Sequence, residues 1–147
     1  MKNSIIAIFI ILGVGAVCLV SQAPVAAAAL RSPAWIQAPR GKSIYDQNCL
    51  PCHQQDGGGV PGMNPPLSKS PYVQGSTTRL IHILLQGLND GVDIEGETYS
   101  NPMPPFGTTL KDGDIADVLS YVRSHFGNKA APVSAAQVSK IRQGLTK

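Results

Sequence analysis

Cys49-Leu50-Pro51-Cys52-His53 is the stretch from which the whole chain can be read. Two cysteines separated by two residues and followed at once by histidine form the attachment signature of a c-type haem. Each thiol adds across one vinyl group of the macrocycle, and the two vinyls sit on neighbouring pyrrole edges. A short bridge spans them only when the cysteines lie about one helical turn apart. The next residue then turns its imidazole towards the iron, which makes His53 the candidate proximal ligand. A structural zinc site would need a second Cys/His pair, and only His82 and His125 remain, without metal-ligand spacing. A redox dithiol would want strand–helix alternation around it, and the flanks offer none.

The chain has 147 residues, room for one small domain and a targeting segment. Cys18 lies in a separate N-terminal stretch, so Cys49 and Cys52 are the only cysteines of the remainder. Thioether bonds would consume both. The formal charge of +3 falls to +2 without Lys2, with 11 basic against 9 acidic residues. Two haem propionates would bring that close to zero, so the basic balance does not indicate a nucleic-acid partner.

Residues 1–29 are expected to be an export signal: Lys2, then the apolar run Ile5–Val20, then small residues from Val25 to Ala29. The 16 residues of that run fall short of the about 20 that a membrane span needs. An uncleaved anchor is the alternative, and only then would a membrane be a partner. Gly15-Ala16-Val17 before Cys18 is a poor lipobox. Export agrees with c-type haem, which is fitted outside the cytoplasm, and the expected location is the periplasm.

The Pro- and Ala-rich residues 30–39 read as a linker and hold the only tryptophan, Trp35. Residues 40–128 read as the haem domain, and 129–147 as a C-terminal extension. Gly41 to Cys49 suggests a short helix with Tyr45 and Cys49 on one face. Gln54 to Leu67 is a Gly/Pro loop suited to close backbone approach to a flat macrocycle. A backbone carbonyl near Pro65 is the candidate acceptor for the second ring nitrogen of His53; a plain surface turn is the alternative. Ser76 to Leu88 carries Ile81, Leu84, Leu85 and Leu88 as an apolar stripe, with Arg79, His82 and Gln86 opposite. The acidic stretch Asn89–Gly96 reads as a solvated turn without the ligand order of a calcium loop.

Asn101-Pro102-Met103-Pro104-Pro105-Phe106-Gly107 cannot be a helix, because three prolines remove donors and fix φ. It forms a stiff strap able to carry one side chain across a haem face, and Met103 is the candidate distal ligand. Met63, ten residues after His53, is a weaker competitor. Leu110 to Phe126 repeats Ile115, Val118, Leu119, Val122 and Phe126 at helical spacing, with Asp112 and Asp114 suited to its N-terminus. Ser134 and Gln137 form a capping box before a last amphipathic helix bearing Val138, Ile141 and Leu145.

Gly41…Tyr45…Cys49-x-x-Cys52-His53, Pro65-Pro66-Leu67, Met103-Pro104 and Asp114 to Arg123 together resemble the class I cytochromes c, over residues 40 to 128. The tail Val133–Arg142 is similar to bacterial single-haem domains that accompany copper nitrite reductases and quinoprotein or alcohol dehydrogenases. The resemblance implies an all-α fold of about four short helices and long Gly/Pro loops around one covalent haem c, with a short C-terminal helix. It implies His53 and Met103 as iron ligands, Cys49 and Cys52 as attachment points, and Pro65 as acceptor for the His53 ring proton. It also implies that the first helix crosses the later one near Val118 to Val122. One departure concerns the propionates: related proteins hold one with a tryptophan before the methionine strap, which this chain lacks. Tyr72, Arg79 and Tyr99 are the candidates instead.

A His/Met pair leaves the iron no open position. The implied function is one-electron transfer between periplasmic redox proteins, a dehydrogenase, a reductase or a terminal oxidase, and not catalysis by the domain itself. A permanently bound oxidoreductase subunit is the alternative; a haem enzyme or gas sensor would require Met103 not to bind. No dense lysine ring surrounds the motif, so partner steering should depend only weakly on salt.

Overall fold

The computed structural model describes residues 34–145. The expectations for residues 1–29, for the start of the linker and for the packing of Trp35 lie outside what it describes. Six helices follow in order: α1 (Ala34–Asn48), α2 (Leu50–His53), α3 (Pro71–Gln74), α4 (Thr77–Gln86), α5 (Asp112–Ser124) and α6 (Ala135–Leu145). Between α4 and α5 lies a hairpin of β1 (Val92–Ile94) and β2 (Glu97–Tyr99). The all-α reading fits the body of the fold and misses this hairpin.

α1 begins at Ala34, well before the Gly41 start read from the sequence, and it runs across Pro39. It therefore takes in part of the stretch read as linker. Its last turn passes almost directly into α2, with Cys49 N–H donating to the Tyr45 carbonyl at 2.8 Å and His53 N–H to the Cys49 carbonyl at 2.9 Å. The attachment pentapeptide is thus a helical turn of its own, with Pro51 near its start, where a missing N–H does no harm.

α5 supplies the centre of the core. Ile115, Val118, Leu119 and Val122 are buried at the spacing expected for one helical face. Tyr45 of α1 is 1% exposed, its ring 5.7 Å from that of Tyr121 and 5.1 Å from that of Phe126. Arg40 closes the same crossing from outside through ion pairs to Asp114 and, at 3.2 Å, to Asp117. The crossing falls within the stretch that the family resemblance implies.

α4 buries Leu80, Ile81, Leu84 and Leu85 against α5, while Arg79 and Gln86 face solvent and His82 is half-buried. Ser76 caps it, its hydroxyl accepting from Arg79 N–H at 3.3 Å. The hairpin pairs Val92 with Tyr99 and Ile94 with Glu97. Ile94 and Tyr99 are buried while Asp93 and Thr98 are exposed, so the acidic stretch is a half-buried ribbon rather than a turn.

The extension folds back onto α5. Ser120 Oγ donates to the Val133 carbonyl at 3.1 Å and accepts from its N–H at 2.9 Å. Arg123, 4% exposed, donates to the carbonyls of Val73 at 2.5 Å and Ala131 at 2.7 Å. α6 opens with the expected capping box: Ser134 N–H donates to Gln137 Oε1 at 2.8 Å, and Gln137 N–H donates to Ser134 Oγ at 3.3 Å. Val138 is fully buried, a contribution of about 1.5–3 kcal/mol. Ile141 is half-buried and Leu145 exposed, so the apolar face is fully used only at its centre.

Candidate functional site

Cys49, Cys52, His53, Pro65 and Met103, five residues spread over more than 50 positions, all line one partly open cavity. α1 and α2 bring the two sulfurs and the imidazole to one wall. Burial pushes the Cys49 thiol up to about 11, so at neutral pH it is protonated and a poor nucleophile until activated.

His53 is 8% exposed. Its Nδ1 lies 3.0 Å from the Pro65 carbonyl. A carbonyl can only accept, so Nδ1 carries the proton and Nε2 keeps its lone pair. Burial lowers the imidazole's pKa, with the Pro65 bond opposing in part. The neutral ring is the form a metal requires.

Met103 lines the same cavity from the strap. Its backbone pairs with Leu88 just beyond α4, N–H to carbonyl at 2.8 Å in one direction and 2.9 Å in the other. Downstream, Phe106 N–H donates to the Leu84 carbonyl at 2.8 Å. The Gly/Pro loop and the strap also meet each other. Ser100 N–H reaches the Gly62 carbonyl at 3.2 Å, Asn101 N–H reaches the Met63 carbonyl at 3.0 Å, and Asn101 Nδ2 reaches Asn64 Oδ1 at 3.2 Å. Glu97 of β2 accepts from Gly62 N–H at 3.0 Å, tying the hairpin to that seam. Met63 is 49% exposed and does not line the cavity.

The residues suit the group their motif implies. The wall is mainly proline, leucine, isoleucine and valine, matching a flat apolar macrocycle. One buried hydroxyl on it, that of Ser70, has no hydrogen-bond partner among the described residues, although Ser70 is only 3% exposed. An apolar plate bearing carboxylates would satisfy both features. Of the three propionate candidates, Tyr72 lines the cavity, with the Arg79 guanidinium 5.0 Å above its ring. Tyr99 does not line it, and its hydroxyl donates to Glu97 at 2.9 Å. No sequence motif marks Ser70, which stands at the N-cap position of α3, before Pro71. It occupies that cap position without a side-chain cap bond. Among the described residues no group of three or more His, Cys, Asp or Glu forms another metal site. His125 is exposed, stacks on Tyr121 with ring centroids 4.0 Å apart, and lies outside the cavity.

A helical shell around one apolar cavity, with a Cys-x-x-Cys-His turn on its wall, defines a haem-binding electron-transfer domain. The Cytochrome c family profile matches residues 38–126, and the chain belongs to that family. It carries one haem c, bound covalently through Cys49 and Cys52, and it is an electron carrier. Cytochrome c-552 of Thermus thermophilus is 36% identical over 111 residues, 69% of this chain and 83% of that protein. The gluconate 2-dehydrogenase cytochrome c subunit of Pantoea cypripedii is 35% identical over 72% of this chain and 24% of its own length. The cytochrome c subunit of the alcohol dehydrogenase (quinone) of Gluconacetobacter polyoxogenes is 37% identical over 69% of this chain and 22% of its own.

Proposed function

We propose that His53 and Met103 would hold the haem iron, and that the chain shuttles single electrons between redox proteins outside the cytoplasm. The observation that carries this reading is the placement of an immobilised, neutral His53 and a doubly hydrogen-bonded Met103 on one cavity. The haem supplies a reversible ferric/ferrous couple, and a thioether ligand raises its potential. The protein's own tasks follow. Pro65 fixes the His53 tautomer, the Leu88 bridge holds Met103 in both oxidation states, and the apolar wall keeps water from the iron.

Export of residues 1–29 would place residues 30–147 in the periplasm; among the described residues no helix is long and apolar enough to cross a membrane. Contact with partners would be brief and small in area, as in weak redox encounters. Similarity to the two dehydrogenase subunits favours a dehydrogenase as donor, and a permanent subunit role is the second reading. A potentiometric titration tests the carrier role. One reversible one-electron wave with no carbon monoxide binding is expected, whereas a high-spin ferrous form that binds the gas readily would overturn it. Co-purification with a dehydrogenase after high-salt washing would select the subunit reading.

A further inference from the structure

Arg142, in the last turns of α6, sends all its identified hydrogen bonds to the end of the methionine strap and the residues just after it. Nε donates to Asp112 Oδ1 at 2.7 Å, one terminal nitrogen donates to the Gly107 carbonyl, and the other donates to the Leu110 carbonyl at 3.0 Å. These acceptors begin four residues after Met103. On its other side the same segment is held by α4, through Phe106 N–H to Leu84 and, at 3.2 Å, Gly107 N–H to Leu85. Among the identified bonds, Arg142 supplies the side-chain donors from outside this segment to its carbonyls, at Gly107 and Leu110. The guanidinium is half-buried and planar, with donors set to reach several acceptors at once, which a lysine ammonium cannot do with the same geometry.

We infer that Arg142 is a positioning residue for Met103: the C-terminal extension clasps the strap against α4 and thereby sets how firmly the thioether is kept on the iron. The inference rests on the proposed ligation by Met103. A neutral thioether is a weak donor, so its retention depends on how seldom the strap moves away. The Leu88 bridge fixes the strap at Met103 itself. Beyond the three prolines, α4 holds it through the Phe106 and Gly107 N–H groups, and the clasp adds a tie to the C-terminal extension. Val138 and the Ser120–Val133 bonds anchor the extension, so that Arg142 pulls from a packed base.

The test uses the oxidised holoprotein and imidazole as the competing ligand. Affinity for imidazole rises with the fraction of time that Met103 is off the iron. Arg142→Ala should raise that affinity about tenfold or more, the equivalent of losing a charge-assisted interaction. Arg142→Lys, which can keep the Asp112 contact without the two-carbonyl fork, should give an intermediate rise and serves if the alanine variant does not accumulate. Unfolding by urea is followed in parallel. A purely structural role would lower the unfolding midpoint and leave imidazole affinity without urea unchanged, and that result in either variant overturns the clasp. Absence of the sulfur-to-iron charge-transfer band from the unmodified protein would instead remove the reading of Met103 on which the clasp rests.

Discussion

Met103 and Leu88 face each other as a two-residue bridge, each backbone N–H donating to the other's carbonyl, at 2.8 and 2.9 Å. Gly87 makes that approach feasible. It sits at φ 76°, and a methyl there would stand 2.5 Å from the Met103 carbonyl. Gly87→Ala should therefore cost about 2 kcal/mol or more through backbone strain and overpacking. Urea unfolding of the holoprotein measures this, and an unchanged midpoint would mean that the strap yields freely.

The proximal side has a parallel dependence. Gly59, at φ 70°, lies so close to the loop that a methyl would stand 2.8 Å from the Pro65 carbonyl oxygen. Gly59→Ala should push that oxygen off His53 Nδ1. A less basic ring stabilises ferric iron less, so the midpoint potential should rise by about 20–60 mV, the electrical equivalent of one neutral hydrogen bond. A potentiometric titration showing no change or a fall would contradict the assigned role of Pro65.

Acid should loosen the α1–α5 crossing through Asp114. The hydrogen bond from Arg40 is the largest cause holding this carboxyl below its ordinary value of 3.8. A depressed folded value means stability that is present above the ordinary value and is lost as pH falls through the folded one. Asp117 works against it, since burial raises its carboxyl despite Arg40 at 3.2 Å. Asp114→Asn should cost about 0.5–1 kcal/mol at pH 6, as exposed pairs do. The gap should close as the pH drops below the ordinary carboxylate range, read by urea unfolding at each pH; a constant gap would count against the pair.

Ser120 holds the extension with a hydroxyl that both donates and accepts. Ser120→Ala would leave the buried N–H and carbonyl of Val133 without that partner and should cost about 1–3 kcal/mol. Thermal unfolding is the measurement. A loss of only a few tenths of a kcal/mol would show that the Val133 turn repairs itself.

The cofactor site was largely legible in the sequence because its constraints are local. Two thioethers and one ligand demand Cys49, Cys52 and His53 in one turn, and proline crowding around Met103 leaves the chain few conformations. The same holds for Ser134 and Gln137, whose reciprocal cap spans only three residues. Features that depend on distant partners were hidden. Glu95 and Gly96 turn the hairpin with φ of 55° and 86°, yet among neighbouring acids Glu95-Gly96 reads as solvated loop. Pro39 reads as punctuation, although α1 runs through it. Nothing local in the sequence gives Arg123 and Arg142 a partner, and only folding shows that they staple backbone carbonyls. Ser70 carries no sequence signal, and only the folded wall shows its hydroxyl without a partner among the described residues.

The measurement closest to the central claim is the sulfur-to-iron charge-transfer band of the oxidised protein, compared across unmodified protein, Met103→Ala and Met63→Ala. Ligation by Met103 predicts the band in the unmodified protein and in Met63→Ala, and its disappearance in Met103→Ala. A band that survives Met103→Ala, or an unmodified protein that lacks it and shows high-spin iron, would contradict the closed His53/Met103 site.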